Sequence, residues 1–404
     1  MAKVFPTITT NPLRNKICVF PTEDDCELTP NEINSIIRRN PYSFNNIFYK
    51  PYIKRLKGTK KYKAIRRLYH KYKKNNIIKT VENSLFYIYN IIDNEKNEYY
   101  GIVGQIPHSE FESGNIRKIE KSLPEAVEEK TDQIDYIGFI SKPITVVHEE
   151  IPVINEIFDK YKSKIPLYEF TRNNGFVHEV WQVVDPDDVA LIKNAYKQAV
   201  KFYIIDDNNN FEALYRIYKE RSLKGQRLFS GQEAFNFFPA FLISQNQVKI
   251  HEYKKGLPED YPKSAEEVLN NLGKDFNIQP VDNYDLPQKG EILLYTHNGK
   301  YKLIPKAHID SHLPDAFIFD SYILPVITEN KTLLSYKDFK FCDGKRTPKC
   351  VDNQLSKGNC KMGFIIRPMD FEEIENAVKN NIKIPYKSLY LEPRLLKGLF
   401  IYEI

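Results

Sequence analysis

Cysteine, methionine and tryptophan are scarce in this chain: 5, 3 and 1 among 404 residues. An odd and sparse cysteine count argues against a disulfide framework and fits free thiols in a reducing compartment. No apolar run reaches the ~18 residues that a membrane-spanning helix needs. The opening residues Met1 to Pro6 carry neither the apolar stretch nor the small-residue cleavage site of a secretory leader, so a cytoplasmic location is expected. A P-loop, a nucleophile elbow, a G-x-G-x-x-G turn and the kinase signature set are all missing. Gly101, Gly104 and Gly114 are spread through a hairpin and a turn rather than gathered into a phosphate cradle.

Acidic residues are missing from one segment only. Residues 50–79 hold thirteen Lys or Arg and no Asp or Glu, against a net charge of +6 for the whole chain. The rest of the chain is therefore slightly acidic, and the basic excess constrains one surface rather than the whole protein. With 42% hydrophobic and 28% charged residues and a mean hydropathy of -0.50, the composition is that of a globular protein with two or three packed layers. Aromatics at 13% beside abundant Lys, Asn and Ile are the mixture an AT-rich genome writes, which weakens lysine abundance as a functional signal.

Local signals predict an α+β protein with mixed sheets, because strands and helices are intermixed rather than strictly alternating. Thr29-Pro30-Asn31-Glu32 is a capping box that starts a helix running to about Arg39. From Lys57 to Asn76, Ala64, Ile65, Leu68, Tyr69 and Tyr72 fall on one side, giving a helix with a cationic outer face. Ser84–Ile92 and Tyr99–Ile106, separated by a turn-forming run at 93–97, read as a hairpin. Further strands are expected at 144–147, 177–184, 202–205, 237–243, 248–253, 292–295, 300–304 and 363–367. Asp185 caps a helix that should reach about Lys201, with Pro186 in its first turn. Other helices are expected at 151–162, 211–221, 264–272, 314–326 and 371–380. A boundary within 255–290 divides an N-terminal α+β region, 1–255, from a C-terminal α+β region, 256–404.

Taken singly, the chemistry-bearing residues point nowhere. Cys342, Cys350 and Cys360 lack the short knuckle spacing of a structural zinc site, so no metal is assigned. The tyrosine-interleaved basic helix permits phosphate-backbone binding, but a solvated cationic face explains it more simply, and nucleic acid is not the expected partner. His108, His148, His178 and His251 share no helix face and read as structural or solvent-facing.

Taken in order, several segments resemble a known family. Asn40-Pro41-Tyr42-Ser43-Phe44, Leu85-Phe86-Tyr87-Ile88-Tyr89 with Gly101-Ile102-Val103-Gly104, and Ile116-Arg117-Lys118-Ile119-Glu120 look like its successive landmarks. Trp181-Gln182-Val183, Phe202-Tyr203-Ile204-Ile205-Asp206 and Phe235-Asn236-Phe237-Phe238-Pro239-Ala240-Phe241-Leu242 continue the series. It closes with Ile384-Pro385-Tyr386-Lys387-Ser388, Glu392-Pro393-Arg394 and Gly398-Leu399. The chain resembles the domain-of-unknown-function family 1015, itself similar to the ParB/sulfiredoxin-like group that includes free-serine kinases. The resemblance implies a ParB/sulfiredoxin-like core with a C-terminal α+β extension. It also implies phosphoryl transfer between a nucleotide and serine, or phosphoserine turnover, with ADP or ATP and magnesium as cofactors. The partners implied are serine or a small phosphorylated metabolite, and a homo- or hetero-oligomer with a family homologue.

This sequence departs from the family where the resemblance matters most. The family writes Asp-Gly-His-His-Arg before a helix, a turn able to offer close backbone approach, imidazoles and a guanidinium to phosphate. Here it reads Asp206-Asp207-Asn208-Asn209-Asn210. The family's Lys-Lys-His-Glu-x-Thr-Arg appears as Arg117-Lys118-Ile119-Glu120-Lys121-Ser122-Leu123, and its Tyr-Asn-Arg as Tyr253-Lys254-Lys255, which keeps charge but loses the planar fork. Lys387-Ser388 persists, while the usual threonine is Leu389. By resemblance, Glu120 would be the general base, Asp206 would orient substrate or metal, and Lys118, Ser122, Lys254, Lys255, Lys387 and Ser388 would contact phosphate or nucleotide. The expectation is a divergent serine-kinase-like protein with an impaired centre; a non-catalytic binding or regulatory paralogue and a nucleic-acid-binding protein using the basic helix are the alternatives.

Overall fold

The hairpin that opens the central sheet owes its stability to a turn that satisfies itself. In the structure, a computed structural model, β1 (Phe86–Ile92) and β2 (Glu98–Pro107) pair antiparallel. Between them the Asp93 carboxylate accepts the amides of Glu95 and Asn97 at 2.8 and 2.9 Å. The structure describes residues 2–24, 28, 30–199, 201–225, 230–251, 254–282, 286–328, 339–342 and 349–404. They fall into two compact units: 1–118 with 124–248 and 393–404, and 119–123 with 249–392.

In the first unit, β1 and β2 join β3 (Arg117–Lys118), β4 (Ile144–His148), β5 (Tyr168–Thr171), β6 (Val177–Val183), β7 (Phe202–Ile204) and β8 (Phe237–Ser244) in one eight-stranded sheet. The order is β3-β7-β4-β8-β2-β1-β6-β5, and the sheet is mixed: β3/β7 and β4/β8 run parallel, the other pairs antiparallel. Every residue of β8 is buried, which is why its sequence is an apolar run without alternation. The apolar faces of α4 (Pro152–Lys162), α5 (Pro186–Gln198) and α6 (Asn208–Gly225) close one core against it through Ile157, Tyr196 and Phe211. A second cluster seats the basic helix α2 (Gly58–Lys74) by Ile65, Tyr69 and Tyr72, the residues its periodicity selects.

The second unit carries a six-stranded sheet that is antiparallel throughout, including Lys254–Pro258, Ile292–Thr296 and Cys360–Ile366. Mixed sheets with packed helices confirm the α+β class. Local expectations differ from the structure in a few places. The helix α1 spans Pro30–Arg39 as expected, although its capping Thr29 lies outside the described residues. Helix α3 (Pro124–Ile137) was not foreseen, because only Val127, Ile134 and Ile137 are buried, too few to make a periodic stripe among its charges. Helix α5 stops at Gln198 rather than near Lys201: Ala199 turns extended, and β7 begins at Phe202. The single strand expected over 248–253 is Lys249–His251, paired with Tyr390–Glu392, followed by the separate strand at Lys254. Tyr253 lies outside the described residues.

The hairpin glycines serve packing. A Cβ on Gly101 would lie 2.4 Å from the Phe241 ring and 2.8 Å from the Leu242 carbonyl; one on Gly104 would lie 2.8 Å from the Phe5 carbonyl and the Phe86 ring. Close strand-to-strand approach, not phosphate, requires them. Gly101→Ala is therefore expected to cost about 1–3 kcal/mol by overpacking, seen as a lower urea midpoint with an unchanged m value.

Candidate functional site

The turn between β7 and α6 is where the family's phosphate-gripping residues would sit. Asp207 occupies the glycine position and keeps a glycine-like backbone, with φ at +57°. Aspartate tolerates this left-handed region better than most side chains, at some strain. Its carbonyl accepts the Phe211 amide at 2.9 Å, opening α6. Asn210, standing where the family has arginine, donates its amide to Asp207 Oδ1 at 3.0 Å.

Lys142, immediately before β4, fills the centre of that turn with an ammonium that is only 4% exposed. Its Nζ pairs with Asp24, lies 2.9 Å from Asp207 Oδ2 and 4.0 Å from Asp206 Oδ2. Asp206 is in turn held by Arg394 Nη1 at 2.8 Å. Burial opposes ionisation of Asp24, but Lys142, Lys397 and Arg394 outweigh it and hold that carboxyl well below its ordinary value. For Asp206 burial is likewise outweighed, by Arg394 and Lys142, and its pKa falls. Asp207 goes the other way: burial and the neighbouring Asp206 and Asp24 charges overcome Lys142 and push its carboxyl up. The ammonium of Lys142 is pushed well above its usual value, since Asp207, Asp24 and Asp206 overcome desolvation. Three carboxylates thus converge on cations of this chain's own, and the cluster is electrostatically closed.

A second assembly lies in the other unit. The segment 119–123 docks along residue 384, with Lys121 N donating to Ile384 O and Ile384 N to Ile119 O, both at 2.8 Å. Lys387 takes a left-handed backbone, φ +55°, and turns the following amides inward. Glu120, 6% exposed, fills the resulting nest: its Oε1 accepts Ser388 N at 2.9 Å and Leu389 N at 3.4 Å. Such nests bind anions, and here the anion is a side chain of the protein. Lys255 is 2% exposed, donates to the Lys387 carbonyl at 3.1 Å and lies 5.1 Å from the Phe319 ring centroid. Burial lowers its pKa to about 8, against Glu120 and Asp320, which raise it.

The residues selected from sequence therefore separate into two groups. Glu120, Lys255, Lys387 and Ser388 come together in the second unit, where Ser122 and Lys254 also belong. Asp206 joins the aspartate–lysine cluster of the first unit, and Lys118 pairs there with Glu212 at 3.1 Å. The sequence reading missed Lys142, Asp24 and Asp320. Asp320 lies in a π-helical turn, Phe319–Ile323, just before Pro325, and its carboxylate pairs with Lys121 at 3.0 Å. Proline inside a helix is the one local signal that marks such a turn. Among the described residues no group of three or more His, Cys, Asp or Glu is arranged to hold a metal, and no helix is long and apolar enough to cross a membrane. The basic helix exposes Lys60, Arg66 and Arg67, while Glu129 and Asp132 of neighbouring α3 add to burial in raising the pKa of Tyr62.

With this geometry in place, the family can be stated. The profile described as Protein of unknown function (DUF1015) matches residues 18–326, more than half of the chain, and the protein belongs to that family. No curated protein matches the sequence. Among solved structures, it is similar to C-terminally truncated SbnI from Staphylococcus aureus, at 13% identity and TM-score 0.41, covering 73% of this chain and 85% of that one. A conserved hypothetical protein from Pyrococcus furiosus shows 12% identity and TM-score 0.42 over 74% of this chain and 94% of its own. A free serine kinase in complex with AMP shows 12% identity and TM-score 0.40 over 71% of this chain and 86% of its own.

Two outcomes follow from these charge clusters. Lys142→Met leaves three buried carboxylates without their central cation, an expected loss of about 3–5 kcal/mol at pH 7. The loss should shrink toward pH 4 as the aspartates take up protons, measured by urea unfolding at both pH values. The depressed pKa of Lys255 means that the unfolded chain binds more protons than the folded one between about pH 8 and the ordinary lysine value of 10.5, so this group makes stability rise with pH across that window. Lys255→Met should accordingly be more stable than wild type at pH 7, with the advantage narrowing as pH rises through the same window.

Proposed function

We propose that this chain is a serine-kinase-like member of its family whose phosphotransfer centre is impaired, and that it acts as a binding protein in serine or phosphoserine metabolism. The observation that carries this reading is the closed charge cluster at the 206–210 turn. A phosphate approaching the start of α6 would meet Asp206 and Asp207 instead of imidazoles and a guanidinium. The cations Lys142 and Arg394 are already engaged by carboxylates. Releasing either cation strips a buried carboxylate of its partner, a step that costs about 3–5 kcal/mol.

The second assembly supports the same reading. A general base needs a carboxylate free to reach a hydroxyl proton, and Glu120 spends an oxygen on two backbone amides. Retained phosphotransfer, with Glu120 as base, Asp206 orienting substrate and ADP or ATP with magnesium as donor, is favoured by one fact. Glu120, Lys255, Lys387 and Ser388 gather at a single nest, and burial lowers the Lys255 amine to about 8.

The purified chain is expected to give no phosphoserine from serine with ATP or ADP and magnesium, and no hydrolysis of phosphoserine. Serine or phosphoserine should still raise its thermal midpoint. Turnover that disappears in Glu120→Gln would overturn the impaired reading, and absence of any stabilisation by either ligand would overturn the binding one.

A further inference from the structure

A cleft of about 540 Å³ opens in the first unit, lined among others by Lys3, Phe5, Gln105, Lys193, Tyr218 and Phe237. None of the charged residues of the 206–210 turn lines it. Its volume lies within the roughly 300–1,000 Å³ of small-molecule sites. Two lysines, Lys3 and Lys193, line it, and among the described residues no Asp or Glu does. Acidic residues close in sequence to the lining are engaged with other partners: Glu110 Oε2 accepts Asn115 Nδ2 at 2.7 Å, and Glu82 pairs with Lys79 at 3.9 Å. Glu233 accepts Ser230 N, Gly231 N and Asn236 Nδ2 at 2.6, 2.9 and 2.9 Å. Glu112 is held by Tyr218 and Lys219 at 3.2 and 2.8 Å. The lining itself is therefore cationic, the reverse of the Lys142 cluster.

The apolar part of the lining is built from fixed rings. Phe5 pairs its backbone with Gln105 in both directions, at 2.9 and 2.8 Å, and its ring meets Phe237 edge-on at 6.0 Å. Lys193 Nζ lies 5.8 Å from the Phe5 ring centroid. Tyr218 is braced from behind by fully buried His108, stacked at 4.9 Å and 20°. The Gln105 side-chain amide adds a polar group to the lining, while the Tyr402 hydroxyl donates to the Ala234 carbonyl at 2.7 Å. Ring faces, two lysines and a side-chain amide select for a flat ring carrying negative charge.

We propose that this cleft binds a small aromatic anion, with the ring against Phe5, Phe237 and Tyr218 and the anionic group, carboxylate or phosphate, between Lys3 and Lys193. Calorimetry on the full chain tests it with 2-naphthoate and 2-naphthyl phosphate as the two anionic arms, and with naphthalene-2-carboxamide and inorganic phosphate as the two halves of the chemistry. At least one naphthyl anion should bind saturably, and the stronger arm identifies the anionic group. Lys193→Glu, a half-buried helix-surface change, should weaken that binding at least tenfold without moving the thermal midpoint, and Phe5→Ala should weaken it without affecting any response to serine or phosphoserine. The proposal is overturned if neither naphthyl anion binds, or if the carboxamide or inorganic phosphate binds as tightly as they do. Indifference of the affinity to both substitutions overturns it as well.

Discussion

A buried ammonium surrounded by aspartates is the constraint on which the first unit's site depends. Lys142 cannot shed its charge cheaply, because three carboxylates raise its pKa, and it helps hold Asp24 and Asp206 ionised while burial and its acidic neighbours push Asp207 up. The partners come from positions 24, 142, 206, 207 and 394, so the cluster ties the N-terminal segment, the start of β4, the β7–α6 turn and the C-terminal segment into one knot. Buried ion pairs of this kind contribute little net stability beside a well-packed apolar substitute, yet losing a single member is costly. That asymmetry locks the turn in one state.

The nest at 387–389 repeats the principle with different parts. A left-handed residue turns backbone amides inward, a geometry suited to anions, and the side chain of Glu120 occupies it. In both places a non-glycine residue holds a positive φ, at Asp207 and at Lys387, and in both a carboxylate of the chain neutralises what a ligand would otherwise meet. Backbone strain of this kind persists where surrounding contacts over-determine it. The cleft beside Phe5 has the opposite character: lysines, and among the described residues no Asp or Glu, line it.

Much of the framework was legible before any coordinates. The β1–β2 hairpin, the helix capped by Asp185, the basic helix and its buried face, and the apolar strand at 237–244 each carry a local signal: turn chemistry, a cap, a 3.6-residue stripe, a continuous apolar run. Helix α3 escaped because its buried residues are few, and the strand expected over 248–253 was read without the pairing that fixes where it stops. Of the site, Glu120, Lys255, Lys387 and Ser388 were legible as family positions, and the aspartate-rich turn was legible as a departure. Lys142 and Asp24 were not, since nothing local distinguishes a buried lysine from the many exposed ones in this chain.

The order of family landmarks, the α+β class and the aspartate- and asparagine-rich run at 206–210 are properties of the amino-acid string, because each depends on residue identity or on short-range periodicity. What those substitutions amount to depends on distance between residues remote in sequence. An aspartate in place of glycine reads as a repulsive charge until Lys142 is found 2.9 Å away, and a glutamate reads as a base until its oxygen is found on two amides. Coulombic and hydrogen-bond energies fall off over a few ångströms, and only the folded chain sets those separations.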